Sequence, residues 1–350
     1  MKKLCIAVIL TLVLTLLAAP ASFAAEKWRL ASHAMPGTSQ FRLAEVFCET
    51  VNTLSQGELT IEPYAAGVLF PVFDTFDNVA NGLVEAGMAY NAYWTGKDPG
   101  FMLSTRPGCP LSTFAEGAYL ESKLMDYYVK LYGKFNITYL GYIQVSPMYE
   151  QLMSVTPIRT IDDLKGKKIR TSGFGAIYYM ELGATTVSLS APEIYTAFQT
   201  KNVDAAEWTF WDDNMRMGFH EVALFVLDPA LHNGTCDYIP IFVNPEKWNS
   251  LSQHLKDIVI VARDRARYES ALIYVDEVIA RGKWHEIPNI EFVRWSAEDE
   301  KKAREIGLGL VKAECEKSDE GKQYLEIYRN TLWELGYKDE AKFIGYQEKQ

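Results

Sequence analysis

The sequence predicts an α/β protein of two domains that face one cleft and share one long helix. Three observations lead there. Strand-like and helix-like segments alternate along most of the chain, one helix-to-strand unit is echoed further along, and residues 251–281 hold neither Gly nor Pro. Such alternation implies mostly parallel sheets covered by helices. A length of 350 residues suits two domains better than one.

The elements follow in order. Lys2 and Lys3 precede an apolar run from Leu4 to Ala19, then Pro20 and the small-residue segment Ser22-Phe23-Ala24. This is the layout of a secretory signal, and cleavage is expected near Ala24. The run is shorter than the ~20 residues of a spanning helix, which weighs against a retained anchor. Trp28 to Ser32 reads as a strand, and Ala44, Phe47, Val51 and Leu54 recur at helical spacing up to a cap at Gly57. Leu59 and Ile61 alternate with polar neighbours as the next strand.

A helix from Phe76 then leads through Val84-Glu85-Ala86-Gly87 to Tyr90, Tyr93 and Trp94. Ile194 to Trp211 repeats the plan, through Val203-Asp204-Ala205-Ala206 to Glu207, Trp208, Phe210 and Trp211, and Ser190 with Glu193 forms a capping box ahead of it. The uninterrupted stretch 251–281 gives about 45 Å of helix at 1.5 Å per residue, long enough to lie across both domains. The segment from Ala297 to Tyr337 is again helical and heavily charged. The reading assigns 1–24 to the signal, 25–148 plus 236–265 to a first domain, and 149–235 plus 266–350 to a second.

Composition excludes some functions. The 35 basic residues less Lys2 and Lys3 leave 33 against 45 acidic, a charge of −12 for residues 25–350. Nucleic acid is therefore not an expected partner, because its binding needs clustered Lys and Arg. Cys48, Cys109, Cys236 and Cys315 lie far apart without a CxxC pair. They leave open either a disulfide, in one of three full pairings, or isolated core thiols. No GxSxG, HExxH, P-loop or GxGxxG occurs, and His33, His220, His232, His254 and His285 show no metal-ligand spacing.

One segment is more specific. Ile161-Asp-Asp-Leu-Lys-Gly-Lys-Lys-Ile-Arg170 resembles the DLKG block of TRAP solute-binding proteins, in which a helical turn leads into a strand ending at an inward-pointing arginine. Glu193-Ile-Tyr-x-Ala-Phe-Gln199 and Val203-Asp204-Ala-Ala-Glu207-Trp208 resemble the helix and the VDA-x-E block of that family. Ala92-Tyr93-Trp94-x-Gly96-Lys97 is similar to the branch that binds 2-oxo acids and lactate. The resemblance implies a periplasmic solute-binding protein, a class II-like clamp of two domains that closes on its ligand by hinge bending. It implies no catalysis: the ligand is a small organic carboxylate, delivered to TRAP membrane permease subunits.

The resemblance makes Arg170 the carboxylate anchor, a planar fork of donors at a strand end beside the glycine-rich turn Thr171 to Gly175. In relatives of the 2-oxo acid branch a cation is held by a glutamine ahead of the DLKG block, by the Glu and the Trp carbonyl of the EW pair, and by a later glutamate. Glu207 and Trp208 keep the pair, but an ungapped comparison puts Tyr149 at the glutamine and Asn233 at the later glutamate. Hard cations want oxygen ligands and negative charge, so direct pairing with Arg170 is expected, with no cofactor and a cation bridge disfavoured. Without a cation, Glu207 would pair with Arg170, accept from a ligand N–H, take up a proton or serve structure alone.

Tyr93, Trp94, Tyr149, Phe174, Trp208, Phe210 and Trp211 lie in or beside the expected cleft segments. They suggest an aromatic acid, such as an indole or phenyl 2-oxo acid, stacked between rings. A small aliphatic 2-oxo or 2-hydroxy acid follows instead if half of these rings face the core. Two other classes compete: a periplasmic enzyme using Glu207, Asp212 or Asp213 with a histidine, and a binding protein of another transporter or sensor. Asp212 and Asp213 are adjacent and would point apart in a strand or a helix.

Overall fold

Two mixed sheets organise the chain, and the computed structural model describes residues 25–145, 148–234 and 238–348. The expected signal, 1–24, and Cys236 lie outside the described residues. The strands are β1 (Glu26–Ser32), β2 (Leu59–Tyr64), β3 (Ala86–Met88), β4 (Thr138–Val145), β5 (Leu152–Ser154), β6 (Lys168–Arg170), β7 (Thr185–Val187), β8 (Ala205–Ala206), β9 (Phe225–Leu227), β10 (Tyr238–Val243) and β11 (Glu291–Val293). The first sheet has the order β2-β1-β3-β10-β4 and the second β11-β9-β5-β8-β6-β7. In the first, β1 runs parallel to β2 and β3, and β10 runs antiparallel to β3 and β4. In the second, β6 is parallel to both β7 and β8, so Arg170 sits at a strand end between Val187 and Ala206.

The helices are α1 (Ser39–Leu54), α2 (Thr75–Ala80), α3 (Phe114–Gly133), α4 (Phe174–Glu181), α5 (Ala191–Gln199), α6 (Trp211–Arg216), α7 (Pro245–Ser250), α8 (Gln253–His285), α9 (Ala297–Cys315), α10 (Asp319–Glu334) and α11 (Lys338–Phe343). Thr38 caps α1 by accepting from the Phe41 N–H, as expected of a Thr in extended backbone before a helix. The helix then buries Leu43, Ala44, Phe47 and Val51 against Trp28 and Leu30 of β1. The capping box of Ser190 and Glu193 forms at the start of α5 as its sequence requires.

Helix α8 runs for 33 residues from an N-cap at Ser252, about 50 Å at the standard rise. Leu255, Val259, Ala262, Ala266 and Ile273 pack into the core of the first sheet. Ala280 and Trp284 pack with Phe219 and Val226 in the core of the second. One helix therefore serves both cores. No helix among the described residues is long and apolar enough to cross a membrane.

The C-terminal packing differs from the expected grouping of 266–350 with the second domain. Tyr324, Leu325, Tyr328 and Leu332 of α10 pack with Leu120, Leu124 and Tyr128 of α3, on the side of the first sheet. Ile273 of α8 likewise belongs to the first core. The i, i+4 stripe of α10 shows that the helix has an apolar face, but a stripe does not identify its partner. Cys48, Cys109 and Cys315 are buried in the cores.

A contact between the two halves involves Asp213 of α6. Its carboxylate accepts from the Ser39 N–H at 2.6 Å and the Ser39 hydroxyl at 2.8 Å, and caps α1 from outside that helix's own segment. Gln40 adds a bond from its side-chain amide to the Thr209 hydroxyl at 3.2 Å. Burial pushes the Asp213 carboxyl up to about 6, although the Ser39 donors pull it down.

Asp213→Ala is expected to lower stability by about 2 kcal/mol, since it removes a cap and leaves buried donors unpaired; urea unfolding checks this. The pH dependence has a definite sign. The folded state holds the Asp213 proton to about pH 6, against an ordinary 3.8. Its contribution to stability therefore falls as pH rises from about 4 to about 6. Wild type should lose stability relative to Asp213→Asn across that window and hold a constant difference above it.

Candidate functional site

The second sheet delivers its charged groups where β6 and β8 end, and parallel strands commonly present ligands at their carboxyl ends. Arg170 closes β6 and is 1% exposed. Its Nε and Nη2 donate to the Leu189 carbonyl at 2.9 and 2.8 Å, and Nη1 donates to the Glu207 carbonyl at 2.5 Å. The Glu207 carboxylate lies 3.4 Å from Nη1 and accepts from the Ser172 N–H at 3.2 Å. A guanidinium has five N–H groups. Those three bonds leave one on Nη1, which faces the Glu207 carboxylate, and one on Nη2.

The chain after Arg170 turns at Gly173, whose φ is +57°. A Cβ there would meet the Ala92 Cβ of the opposite half at 2.3 Å. Glycine is needed for both the backbone angle and the close approach of the two halves.

Facing Arg170 is a buried chain of polar groups. The Glu150 carboxylate contacts His232, with Oε2 3.0 Å from Nε2, and His232 Nδ1 lies 3.0 Å from the Tyr179 hydroxyl.

 Glu150 Oε2 is thus anchored by an imidazole that is itself held from behind. The ligand atoms of Glu150, Glu207 and His232 all lie within 4.8 Å of one another, and all three residues are buried. Burial raises the Glu150 carboxyl and nearby Glu207 adds to this, while the bond to His232 and the charge of Arg170 pull it down.

Around these groups His33, Gln40, Tyr90, Tyr93, Thr105, Gln144, Trp208, Thr209, Phe210 and Asn233 complete a cavity of about 30 Å³. Burial lowers His33 to about 4, so its imidazole is neutral at pH 7. The Tyr90 hydroxyl is 2.5 Å from the Thr105 hydroxyl. The Gln144 side-chain carbonyl is buried with no hydrogen-bond partner among the described residues.

Six of the residues singled out from sequence come together here: Arg170, Tyr93, Glu207, Trp208, Phe210 and Asn233. Asn233 lines the wall, and its Oδ1 accepts from the backbone N–H of Gly234 at 3.0 Å and of Arg106 at 3.4 Å. Trp94 instead packs against Phe76 at 5.2 Å in the first core, and Phe174 joins the same cluster. Trp211 packs against Trp284 at 5.8 Å in the second. Tyr149 points away from the cavity and donates to the Cys109 carbonyl at 3.1 Å. The cavity receives Glu150 in place of its neighbour Tyr149.

That one-residue difference puts a carboxylate beside Glu207, where the ungapped comparison had placed a phenol. Glu150 and His232 were the residues missed. Each has one apolar or aromatic chain neighbour, Tyr149 or Leu231, and one polar one, which singles out neither. Asp212 and Asp213 do point apart, the first to Arg216 at 2.7 Å and the second to Ser39.

Arg170→Ala is expected to lower stability by about 3 kcal/mol, because it strands Glu207 as a buried charge. Arg170→Lys should recover only part, since an ammonium cannot fork to both Leu189 and Glu207. Urea unfolding of both variants measures the difference.

Residues 30–317 match the bacterial extracellular solute-binding protein family 7, DctP. A monocarboxylate 2-oxoacid-binding periplasmic protein of Nostoc is 27% identical over 237 residues, 66% of this chain and 64% of that relative's length. A TRAP transporter solute-binding protein of Bordetella bronchiseptica, with calcium and picolinate in an occupied site, superposes with a TM-score of 0.82 at 20% identity, covering 91% of this chain and 95% of that one. One from Colwellia psychrerythraea, with calcium and pyruvate, gives 0.80 at 22% identity, covering 92% and 100%.

Proposed function

The chain belongs to family 7 of the bacterial extracellular solute-binding proteins, and we propose that it captures a small 2-oxo or 2-hydroxy monocarboxylate through a bound cation. Export after cleavage near Ala24 and delivery of the ligand to a TRAP membrane permease belong to the same proposal. The observation that carries it is the buried group of Glu150, Glu207 and His232 beside Arg170. One guanidinium faces two carboxylates, and a ligand carboxylate adds a further negative charge. Buried charges must be paired, so a divalent cation would bring the sum to zero.

The donor set fits such an ion. Glu150 and Glu207 would hold it by their oxygens, the ligand type that hard cations take, and His232 orients Glu150 by its 3.0 Å contact. When bound, the cation supplies the positive charge that lets these carboxylates and the ligand's carboxylate and 2-oxygen meet. Arg170 then contributes its remaining Nη2 N–H to the ligand carboxylate. The unpartnered Gln144 carbonyl can accept from a 2-hydroxyl. Tyr93 and Trp208 wall the cavity, and Ala92 of the first half closely approaches Gly173.

An indole- or phenyl-bearing acid fits less well, because Trp94, Phe174, Trp211 and Tyr149 are committed elsewhere. The Nostoc relative's 2-oxoacid and the pyruvate with calcium in the Colwellia protein agree with the small-acid reading. Calorimetric titration of pyruvate or lactate into chelator-treated protein tests it. Affinity is expected to fall about a hundredfold or more and to return with calcium. Unchanged affinity after chelation would instead leave Arg170 as the anchor acting alone.

A further inference from the structure

Three amide side chains line the cavity, Gln40, Gln144 and Asn233. Two of them are held by the protein. Gln40 donates to the Thr209 hydroxyl at 3.2 Å and lies 3.1 Å from His33 Nε2, and Asn233 accepts from the backbone N–H of Gly234. Gln144 is 3% exposed, and its side-chain oxygen is buried without a hydrogen bond among the described residues. A buried polar group left unpaired is costly, so its presence points to a partner that arrives with the ligand. Beside it stands Ile239, its cross-strand partner between β4 and β10, which also lines the cavity. Residues directly opposite in an antiparallel pair share a face. The first half thus presents an amide and a branched alkyl group side by side.

We propose that Gln144 and Ile239 read the second carbon of the ligand, and that Gln144 admits 2-oxo and 2-hydroxy acids alike while disfavouring acids with no oxygen there. This selectivity rests on the small-monocarboxylate reading above. Every charged group of the lining comes from 148–234, so the ligand carboxylate lies against that half. The substituents left on the second carbon of pyruvate or lactate are an oxygen and a methyl group. They match an amide beside an alkyl side chain. An amide carries two N–H donors at one end and an acceptor oxygen at the other. No bond to the Gln144 oxygen holds it in one orientation, and a turn about the last torsion exchanges the two ends. Gln144 therefore donates to a 2-oxo oxygen or accepts from a 2-hydroxyl. A CH₂ group does neither and leaves the amide unpaired in a closed cavity. Ile239 meets the methyl group and limits the length of chain beyond it.

Calorimetric titration of pyruvate, lactate and propionate into calcium-loaded wild-type and Gln144→Met protein tests the assignment. Wild type is expected to bind pyruvate and lactate within about tenfold of each other. Methionine keeps the length of the side chain and removes both hydrogen-bonding ends. It should weaken pyruvate and lactate by about tenfold or more each and leave propionate unchanged, since only the first two pair the amide. The cation also takes the 2-oxygen, so Gln144 is measured by the fall in the pyruvate-to-propionate ratio on substitution. An unchanged ratio overturns the assignment. So does a lower urea midpoint for ligand-free Gln144→Met, because only an amide paired within the protein would be missed there. Ile239→Ala should shift preference from pyruvate toward 2-oxobutanoate by about tenfold or more, and no shift would overturn the role of Ile239. If chelated protein binds pyruvate as calcium-loaded protein does while the ratio still falls in Gln144→Met, the cation reading fails and this one stands. If calcium is required and the ratio does not move, this one alone fails.

Discussion

Arg170 and Glu207 form an ion pair in the interior, 3.4 Å apart, with almost no exposure on either side. Taking two charges out of water is costly, and the attraction repays this only when further hydrogen bonds satisfy both groups. The surrounding backbone meets that condition. The carbonyls of Leu189 and Glu207 take three of the guanidinium's N–H groups, and the Ser172 N–H reaches the carboxylate. These partners come from the ends of β6 and β8 and from the loop ahead of α5, so the pair fixes how the edge of the second sheet is arranged. Glu150 and His232 are then placed against a charged wall that is already rigid.

Much of this was legible in residue patterns, and the limit is physical. The DLKG block, the capping box at Ser190 and the VDA-x-E block located Arg170 and Glu207, because each sits at a strand end that local sequence defines. The unbroken 251–281 segment announced α8, although the helix extends to His285. Tyr149 and Glu150 were not separable in this way. Both adjoin the short strand β5, and only the strand's registration with β8 and β9 decides which of two neighbours faces the cavity. That registration is a tertiary fact. The aromatic residues failed for a related reason: Trp94 and Trp211 follow strand ends as Tyr93 and Trp208 nearly do, yet one step along the chain turns a ring from cavity to core.

Helix α8 links the two halves in a way that a loop could not. Its packing into both cores makes it one rigid span, so relative motion of the halves must be taken up in the crossing strands and loops or by bending along the helix. Asp213 on α6 and Ser39 on α1 provide a second link, and the Glu277 carboxylate of α8 accepts from the Asp212 N–H at 2.9 Å. These buried acids tie α1, α6 and α8 at one corner. Burial raises Glu277 well above the ordinary carboxylate range, as it raises Asp213.

The division of labour across the cavity suggests an order of events. Every charged group in its lining, Arg170, Glu150 and Glu207, comes from the segment 148–234, and so does His232. The first sheet and its loops contribute His33, Gln40, Tyr90, Tyr93, Thr105 and Gln144, which are neutral at pH 7. Long-range attraction therefore acts from one half only, and a charged ligand with its counter-ion is drawn to the second half first. The neutral half adds short-range hydrogen bonds and excludes water, and both effects act only after the halves approach. Excluding water strengthens the charge pairing already made. A ligand that fails to complete that pairing would leave uncompensated charge in a closing, low-dielectric cavity and would oppose closure. Discrimination among acids thus resides in whether the halves can shut over them.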